Sequence, residues 1–183
     1  MKVKVGVSRR HVHLTKETFN RLFENIELEV RNYLGQSGQF ASTSTVDIKS
    51  NGVTIEKFRI VGPFRKEDQV EISRSDADIF GVNPPRKKSG DLEDTLPVTI
   101  IGPLGEKEKE KGLMLVERHL HITPEEANKL NIKKGNNVEV FKNGNKIMEV
   151  SARIEPSFTL ELHIDTDEEK EFDLHTGDEV EIK

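Results

Sequence analysis

The stretch Arg10-His-Val-His-Leu-Thr-Lys-Glu is followed later in the chain by Arg118-His-Leu-His-Ile-Thr-Pro-Glu. The leucine that comes next in the helical pattern also matches, as Leu22 and Leu130. A shared motif of this length and order is more specific than the general similarity of one β-strand to another. The chain is therefore predicted to contain two related units that arose by internal duplication.

A second, weaker repeat follows each copy of this motif. It consists of an Asn-Gly pair, an Arg-Ile pair, a proline and a glutamate between two apolar residues. The two sets are Asn51-Gly52, Arg59-Ile60, Pro63 and Val70-Glu71-Ile72, and Asn143-Gly144, Arg153-Ile154, Pro156 and Leu160-Glu161-Leu162. This alignment places Ser73 opposite His163, so the two units need not carry identical sites. Short strand patterns also match by chance, which is the alternative interpretation.

Alternating apolar and polar residues dominate the sequence, a pattern typical of half-buried strands. The segments with this pattern are 2–9, 46–50, 53–62, 69–73, 96–102, 112–122, 137–141, 147–154, 158–164 and 178–183. Asn51-Gly52 and Asn143-Gly144 are predicted to form hairpin turns. Many short strands with such turns indicate β-barrels or β-sandwiches. The stretch 84–111, rich in proline, glycine and charge, is interpreted as a connection.

Three short helices are predicted from their start and stop signals. Thr15 is a candidate N-cap of the first helix. Thr123 is a stronger N-cap for the second, because a proline and a glutamate occupy the N1 and N3 positions after it. The third helix covers 75–80 and ends at Gly81.

The composition excludes several classes of site and partner. The 183 residues include no cysteine, which rules out disulfides, a thiolate nucleophile and cysteine-ligated zinc or iron–sulfur sites. The formal net charge of −5 argues against a nucleic-acid partner. No apolar run approaches the roughly 18 residues of a transmembrane helix, and the first residues lack the apolar core of a signal peptide. A soluble, intracellular, globular protein with no membrane partner is predicted.

Five of the six histidines fall into three groups: His11 with His13, His119 with His121, and His163. On a strand, residues i and i+2 point to the same face, so each His-x-His pair presents two imidazoles side by side. Such a pair suits one metal ion, and two copies predict two ions or one ion held by four histidines. His163, on an alternating strand, is a candidate to complete one site.

Glu71 is the candidate carboxylate for the other site. The alternative for the histidine pairs is that they are strand residues satisfied by backbone or carboxylate groups, but their recurrence in a repeated context favours metal binding. His175 lies beside a turn and is interpreted as solvent exposed. Glu17 and Glu125 resemble the glutamate of the cupin metal motif, yet each falls in the first turn of a capped helix. There a carboxylate complements the helix dipole, so both are interpreted as helix-start residues.

Two basic segments are candidates for anion binding. Arg65 lies six residues before Glu71, so the two residues could line one cavity. The planar guanidinium would there hold a phosphate or carboxylate beside a dication. The alternative is an exposed arginine in a turn. The loop with Arg86, Lys87 and Lys88 could meet a polyanion, although solvated charge is the usual interpretation of such a run.

An ordered set of motifs that spans nearly the whole chain resembles the PduL-type phosphate acyltransferases, also called phosphate propanoyltransferases or phosphotransacylases. The motifs are Val7-Ser-Arg-Arg-His-Val-His-Leu, Gly38-Gln-Phe-Ala, Val61-Gly-Pro-Phe-Arg-Lys, Gln69-Val-Glu-Ile-Ser-Arg-Ser-Asp-Ala, Ser89-Gly-Asp-Leu, Arg118-His-Leu-His-Ile-Thr-Pro and Glu161-Leu-His-Ile-Asp-Thr-Asp-Glu. Each motif alone is modest, but the ordered set is specific.

The resemblance implies a mainly β fold of two small β-barrels capped by short helices. It implies an enzyme that interconverts acyl-CoA, such as propionyl-CoA or acetyl-CoA, plus phosphate with acyl phosphate plus CoA. It implies two zinc ions as cofactors, coenzyme A as a substrate and a homodimer. The metal ligands that it implies are His11, His13 and Glu71 for one ion and His119, His121 and His163 for the other, with Arg65 as the catalytic residue that contacts phosphate. The residues that bind CoA stay unassigned.

In this family the first strand crosses into the barrel formed by the C-terminal half. The resemblance thus implies a central barrel over 10–116 and a second barrel formed by 1–9 plus 117–183. Members that work inside bacterial microcompartments carry an N-terminal targeting extension. None is seen before the first strand here, so a cytoplasmic enzyme is expected.

The predicted mechanism is a direct, metal-assisted attack of phosphate on the thioester carbonyl, with Arg65 and the metals stabilising the negative charge that develops. No protein nucleophile is required, which suits a chain without cysteine. One alternative is a dimetal hydrolase that uses metal-bound water. Another is a non-catalytic metal-binding β-domain.

Overall fold

The computed structural model describes residues 1–24 and 26–183, and strands are the main secondary structure in them. In these residues the strands are β1 (Lys2–Ser8), β2 (His11–His13), β3 (Val30–Tyr33), β4 (Phe40–Ser50), β5 (Val53–Gly62), β6 (Gln69–Ile72), β7 (Arg86–Lys87), β8 (Leu96–Gly102), β9 (Gly105–Val116), β10 (His119–Ile122), β11 (Asn137–Lys142), β12 (Asn145–Ile154), β13 (Glu161–Asp165) and β14 (Glu179–Ile182). The helices are α1 (Lys16–Phe23), α2 (Arg74–Phe80), α3 (Pro124–Lys129) and α4 (Thr166–Phe172).

The chain divides into two compact units. Unit 1 comprises Met1–Ser8, Gly35–Ser37 and Arg118–Lys183, and unit 2 comprises Arg9–Leu34 and Gly38–Glu117. The strand that precedes each His-x-His strand therefore belongs to the other unit. Strand β1 leads into β2 of unit 2 but lies in unit 1, and β9 leads into β10 of unit 1 but lies in unit 2.

Unit 1 is a closed barrel with the strand order β1-β13-β10-β12-β11-β14. Strands β1 and β13 are parallel, as are β10 and β12, and the remaining neighbours are antiparallel. Closure leaves no free sheet edge in the barrel, which removes a site of edge-to-edge aggregation. Inward-facing residues such as Val5, Leu120 and Leu162 form its apolar core.

Unit 2 repeats this pattern of pairing. Strands β4, β5, β2, β6, β9 and β8 pair in that order, and β8 returns to pair with β4, which closes the ring. The β5–β2 and β6–β9 pairs are parallel, like their counterparts in unit 1. Strands β3 and β7 add to the outside of this ring. The predicted fold class, mainly β with two small barrels and short helices, is confirmed.

The predicted turns and caps are largely confirmed. Asn51-Gly52 and Asn143-Gly144 join hairpins, and all four residues have positive φ, as type I′ turns require. Thr15 and Thr123 accept hydrogen bonds from the backbone of the first turns of α1 and α3. Gly81 ends α2 in the left-handed conformation. Of the helices in the described parts of the chain, none has the length and apolarity needed to cross a membrane.

Two segments differ from the prediction. The stretch 84–111 is not mainly a connection, because it contains β7, β8 and the first half of β9. Residues 106–111 lie on β9, but all six are charged and most are exposed. This part of the strand therefore lacks the alternating apolar residues by which strands were predicted. Helix α4 was not predicted, because Phe172 is its only apolar residue. Asp165 nevertheless caps it with a full capping box, a local signal that could have revealed it.

The His-x-His strands place their histidines opposite the apolar core. Val12, between His11 and His13, is fully buried in the core of unit 2. Leu120, between His119 and His121, is fully buried in the core of unit 1. Because neighbouring residues on a strand point to opposite faces, burial of the central residue orients both histidines toward the other face.

We expect Leu120→Ala to lower the free energy of unfolding by about 2–5 kcal/mol, because it leaves a cavity in the core behind the histidine pair. Urea unfolding followed by circular dichroism measures this change. Leu104→Ala is the matched control, because Leu104 is 55% exposed and its truncation should change stability by less than about 0.5 kcal/mol. Equal losses in the two variants would contradict the assignment of Leu120 to the core.

Candidate metal centres

The first cluster, called here the Glu71 site, consists of His11, His13 and Glu71 in unit 2. Strand β2 lies between β5 and β6, and its register with β6 sets His11 opposite Glu71. The carboxylate therefore comes from the neighbouring strand to the same face as the two imidazoles. One ligand atom from each residue lies within 4.8 Å of the others.

The ligand atoms of the Glu71 site face one another. The Nε2 atoms of His11 and His13 are 3.3 Å apart. The Glu71 carboxylate oxygens lie 3.5 Å from Nε2 of His11 and 3.7 Å from Nε2 of His13. Two imidazole nitrogens and a carboxylate that converge in this way form a donor set that zinc commonly takes.

The opposite nitrogen of each imidazole fixes its tautomer. Nδ1 of His11 lies 2.8 Å from the carbonyl oxygen of Arg9, and Nδ1 of His13 lies 2.9 Å from that of Val61. A carbonyl only accepts, so each Nδ1 carries the hydrogen and each Nε2 presents a lone pair to the centre. This backbone support is the usual arrangement around a metal-binding histidine. The residues of the Glu71 site therefore fit a divalent cation.

The protonation state of His13 also fits a ligand. Burial, together with the nearby charges of His11 and Arg65, lowers its pKa to about 3, although the charge of Glu71 opposes this shift. The imidazole is therefore neutral at physiological pH. A metal can bind its lone pair without first displacing a proton.

Arg65 lies at the margin of this site. Its backbone N–H donates to the carbonyl oxygen of Leu14, 2.8 Å away, which ties the turn after β5 to the end of β2. Its side chain is exposed, and its charge is one of those that lower the pKa of His13. A guanidinium that is both exposed and electrostatically coupled to the site can hold an incoming anion beside it.

The second cluster, called here the His163 site, consists of His119, His121 and His163 in unit 1. Strand β10 lies between β12 and β13, and its register with β13 sets His119 opposite His163. The ligand atoms of the three imidazoles lie within 4.8 Å of one another. Nε2 of His119 is 3.0 Å from Nε2 of His121, so at most one of the two carries a hydrogen toward the other.

His121 carries a polar atom that no other described residue satisfies. Its Nδ1 is buried and has no hydrogen-bond partner within the described residues. Burial, together with the charges of His163 and Arg153, lowers the pKa of His121 to about 3. The ring stacks on Phe158, with centroids 4.0 Å apart. A neutral, firmly packed imidazole of this kind fits a metal ligand.

The register of the two sites corrects the alignment made from the sequence. His119 pairs with His163 across β10 and β13, whereas His11 pairs with Glu71 across β2 and β6. The counterpart of His163 is therefore Glu71 and not Ser73. The sequence comparison matched Glu71 with Glu161, but Glu161 lies two residues before the true counterpart of Glu71.

Each site has an equivalent ion pair between an arginine and an acidic residue. Arg10, directly before β2, donates to Asp76 at 2.9 Å, and Arg118, directly before β10, donates to Glu168 at 3.3 Å. Each acidic partner is the N3 residue of a capping box, in α2 and α4 respectively. The arginine thus ties the start of each His-x-His strand to the helix that follows the strand of the third ligand.

The remaining candidate residues lie outside both clusters. Glu17 and Glu125 are exposed in the first turns of α1 and α3, as predicted. His175 is exposed beside Asp178. In the basic loop, Arg86 donates to the carbonyl oxygen of Val116 and Lys87 lies 3.4 Å from an Asp91 carboxylate oxygen. The sequence did not single out Gln69 or Glu161, which contact the third ligands of the two sites.

Comparisons with known proteins assign the family. The family model described as phosphate propanoyltransferase matches residues 4–175. The chain is 45% identical to a phosphate propanoyltransferase of Thermotoga maritima, over 97% of this chain and 87% of the relative. It is 38% identical to one of Rhodopseudomonas palustris, over 98% and 81%, and 36% identical to one of Escherichia fergusonii, over 91% and 81%. The chain therefore belongs to the phosphate propanoyltransferase family.

Proposed function

We propose that the protein transfers an acyl group between coenzyme A and phosphate, interconverting acyl-CoA plus phosphate with acyl phosphate plus CoA. Propionyl-CoA and acetyl-CoA are the proposed acyl donors. The family match supports the phosphate acyltransferase activity. The observation that carries the mechanism is the Glu71 site, where two Nε2 lone pairs and a carboxylate converge beside the exposed Arg65.

We propose one zinc ion in each cluster. In the Glu71 site His11, His13 and Glu71 would hold it, and in the His163 site the ligands would be the three histidines. Zinc is favoured because imidazole and carboxylate are ligands that it accepts and because burial keeps His13 and His121 neutral. When bound, the metal supplies a Lewis acid that stabilises negative charge on oxygen.

The chain's own residues supply the rest of the chemistry. Arg65 binds phosphate through its planar guanidinium and orients one oxygen toward the thioester carbonyl carbon. A phosphate oxygen bonds to that carbon, the carbon–sulfur bond breaks, and its electron pair leaves with the sulfur as CoA thiolate. Arg65 offsets the negative charge that develops on the reacting oxygens. The reaction needs no protein nucleophile, in keeping with a chain that has no cysteine.

The test is release of free CoA thiol from acetyl-, propionyl- and butyryl-CoA, with and without phosphate and with and without a chelator. Thiol release that depends on phosphate and is lost with the chelator supports the proposal, and the acyl phosphate is trapped with hydroxylamine. Thiol release that is independent of phosphate would support a hydrolase instead. Full zinc occupancy with no turnover would support a non-catalytic metal-binding domain.

We expect zinc to stabilise the folded protein, because the ligands converge only in the folded state. At a free zinc concentration about 100-fold above the Kd, binding to one site raises the free energy of unfolding by about 2.7 kcal/mol. Urea unfolding with zinc and with excess chelator measures the difference, and magnesium, which prefers oxygen ligands, is the control ion. Identical midpoints with zinc and with chelator would argue against zinc binding at either cluster.

We further propose a homodimer, which family resemblance supports. Light scattering coupled to size-exclusion chromatography gives the mass of the particle in solution. A mass of 20.8 kDa, that of a single chain, would contradict the dimer.

A further inference from the structure

We propose that Arg10 and Arg118 are matched positioning residues, each of which holds a His-x-His strand in register with the strand that carries the third metal ligand. Each arginine directly precedes the first histidine of its pair. This inference rests on the proposed zinc sites. The experiments below measure metal affinity and stability without using the acyltransferase activity.

The His-x-His strands are short, so their own hydrogen bonds do little to fix their register. Strand β2 has three residues and β10 has four. The register nevertheless decides whether a site forms, because a slip of one residue turns every side chain to the opposite face of the sheet. In β2 such a slip would turn Val12 out of the core and both histidines into it. A contact that anchors the start of the strand would therefore protect the site.

In unit 2 the anchor is Arg10, which contacts elements on both sides of β2. Its Nη1 donates to Oδ1 of Asp76 at 2.9 Å, and its guanidinium carbon lies 5.4 Å from the centre of the Phe58 ring, within the range of a cation–π contact. Phe58 is fully buried on β5, and Asp76 is on α2, the helix that follows β6. Because β2 lies between β5 and β6, Arg10 fixes the start of β2 against both neighbours.

In unit 1 Arg118 makes the equivalent contacts. Its Nη1 donates to Oε1 of Glu168 on α4 at 3.3 Å, and its Nε donates to the carbonyl oxygen of Glu149 on β12 at 3.0 Å. Strand β10 lies between β12 and β13, and α4 follows β13. One contact differs in kind, an aromatic ring in unit 2 and a carbonyl oxygen in unit 1. The elements that the arginine connects are nevertheless the same in both units.

The ion pairs have the same spacing in the two units, although the third ligands differ. Asp76 lies five residues after Glu71, and Glu168 lies five residues after His163. Exposed ion pairs hold geometry weakly, but these two carboxylates are only 11% and 8% exposed and are fixed at the helix start by their capping boxes. A fixed acceptor at a constant distance along the chain from the third ligand lets the arginine set the position of the histidine pair relative to that ligand.

The first test measures zinc affinity by chelator competition in proteins that keep one site. In a His163→Ala background, Arg10→Met should weaken zinc binding about tenfold, the lower end of the loss that follows removal of support around a metal ligand. In a His11→Ala background, Arg118→Met should weaken the other site by a similar factor. Methionine keeps most of the apolar stem and removes the charge. Arg21→Met, at an exposed position on α1, is the control and should leave both affinities unchanged.

The second test asks whether the ion pair itself acts. Glu168→Gln keeps a side-chain oxygen for the capping box but removes the charge, and it should reproduce most of the loss caused by Arg118→Met. The double variant should bind zinc no more weakly than Arg118→Met alone, because the same pair is broken in both. Urea unfolding with excess chelator measures the stability of each variant separately from its metal affinity, and circular dichroism confirms that the variants are folded.

The outcomes separate positioning from a purely structural role. Variants that lose stability but bind zinc as tightly as their parents would overturn the proposal. Additive losses in the double variant would also overturn it, since the arginine and the carboxylate would then act separately. A wild-type protein that binds no zinc would contradict both this inference and the proposed zinc sites. Losses of zinc affinity as expected, in a protein that transfers no acyl group, would uphold the inference and contradict only the proposed function.

Discussion

His13→Ala is expected to lose the metal of the Glu71 site and about 10³-fold of the turnover. The imidazole is 3% exposed and points Nε2 at both His11 and Glu71, so its loss leaves the cluster with two of its three donors. A Lewis acid contributes several kcal/mol of transition-state stabilisation, and about 4 kcal/mol corresponds to a 10³-fold change in rate. Inductively coupled plasma mass spectrometry measures the loss of metal, and steady-state thiol release measures the loss of turnover.

Loss of His13 also removes the hydrogen bond to the carbonyl oxygen of Val61, which costs about 1–3 kcal/mol of stability. Urea unfolding therefore accompanies the activity measurement, so that a folding defect is recognised. His175→Ala is the matched control, because that histidine is exposed and lies outside both clusters. A His13→Ala protein that keeps two zinc ions per chain and normal turnover would exclude the Glu71 site from the reaction.

Arg65→Ala is expected to lower kcat/KM for phosphate by about 10²–10³-fold, the usual effect of removing one group that stabilises an oxyanion. Its side chain is exposed and electrostatically coupled to His13, so it carries a positive charge beside the Glu71 site. The KM for phosphate should rise and kcat should fall, while metal content stays that of the wild type. Initial rates at varied phosphate and fixed acyl-CoA separate these effects.

Two further variants give the Arg65 experiment its controls. Lys66→Ala removes the neighbouring exposed cation and should leave the phosphate dependence unchanged. Arg65→Lys keeps the charge but loses the planar fork, so an intermediate loss is expected. If Arg65→Ala behaves like Lys66→Ala, the arginine has no role in phosphate binding.

Local patterns in the sequence predicted much of the fold. The Asn-Gly pairs, the capping residues Thr15 and Thr123, and the alternating strands depend on interactions between residues close in the chain, so the sequence displays them directly. Helix α4 was missed for the opposite reason. Its sequence has almost no apolar periodicity, and its stability comes from the Asp165 cap and from packing against β13 and the distant strand β1.

The repeated motif also predicted which histidines come together, but not how the repeats align. Alignment of the two glutamates made Glu161 the counterpart of Glu71. Strand pairing shows that the counterpart of Glu71 in the second repeat is His163. The register is determined by which residues of β6 and β13 lie opposite the His-x-His strands. Similar residue types two positions apart point to the same strand face, so sequence similarity alone does not distinguish the two alignments.

The sequence by itself determined the histidine pairs of the two candidate metal centres, the duplication and the mainly β fold, because these follow from motif identity and from the two-residue period of a strand. Only the tertiary structure decided the tautomers of His11 and His13. Those tautomers depend on the backbone carbonyl oxygens of Arg9 and Val61, which folding brings into contact with Nδ1 of each ring. The hydrogen that each of these two imidazoles carries is set by a backbone acceptor, and residue identity gives no sign of where that acceptor lies.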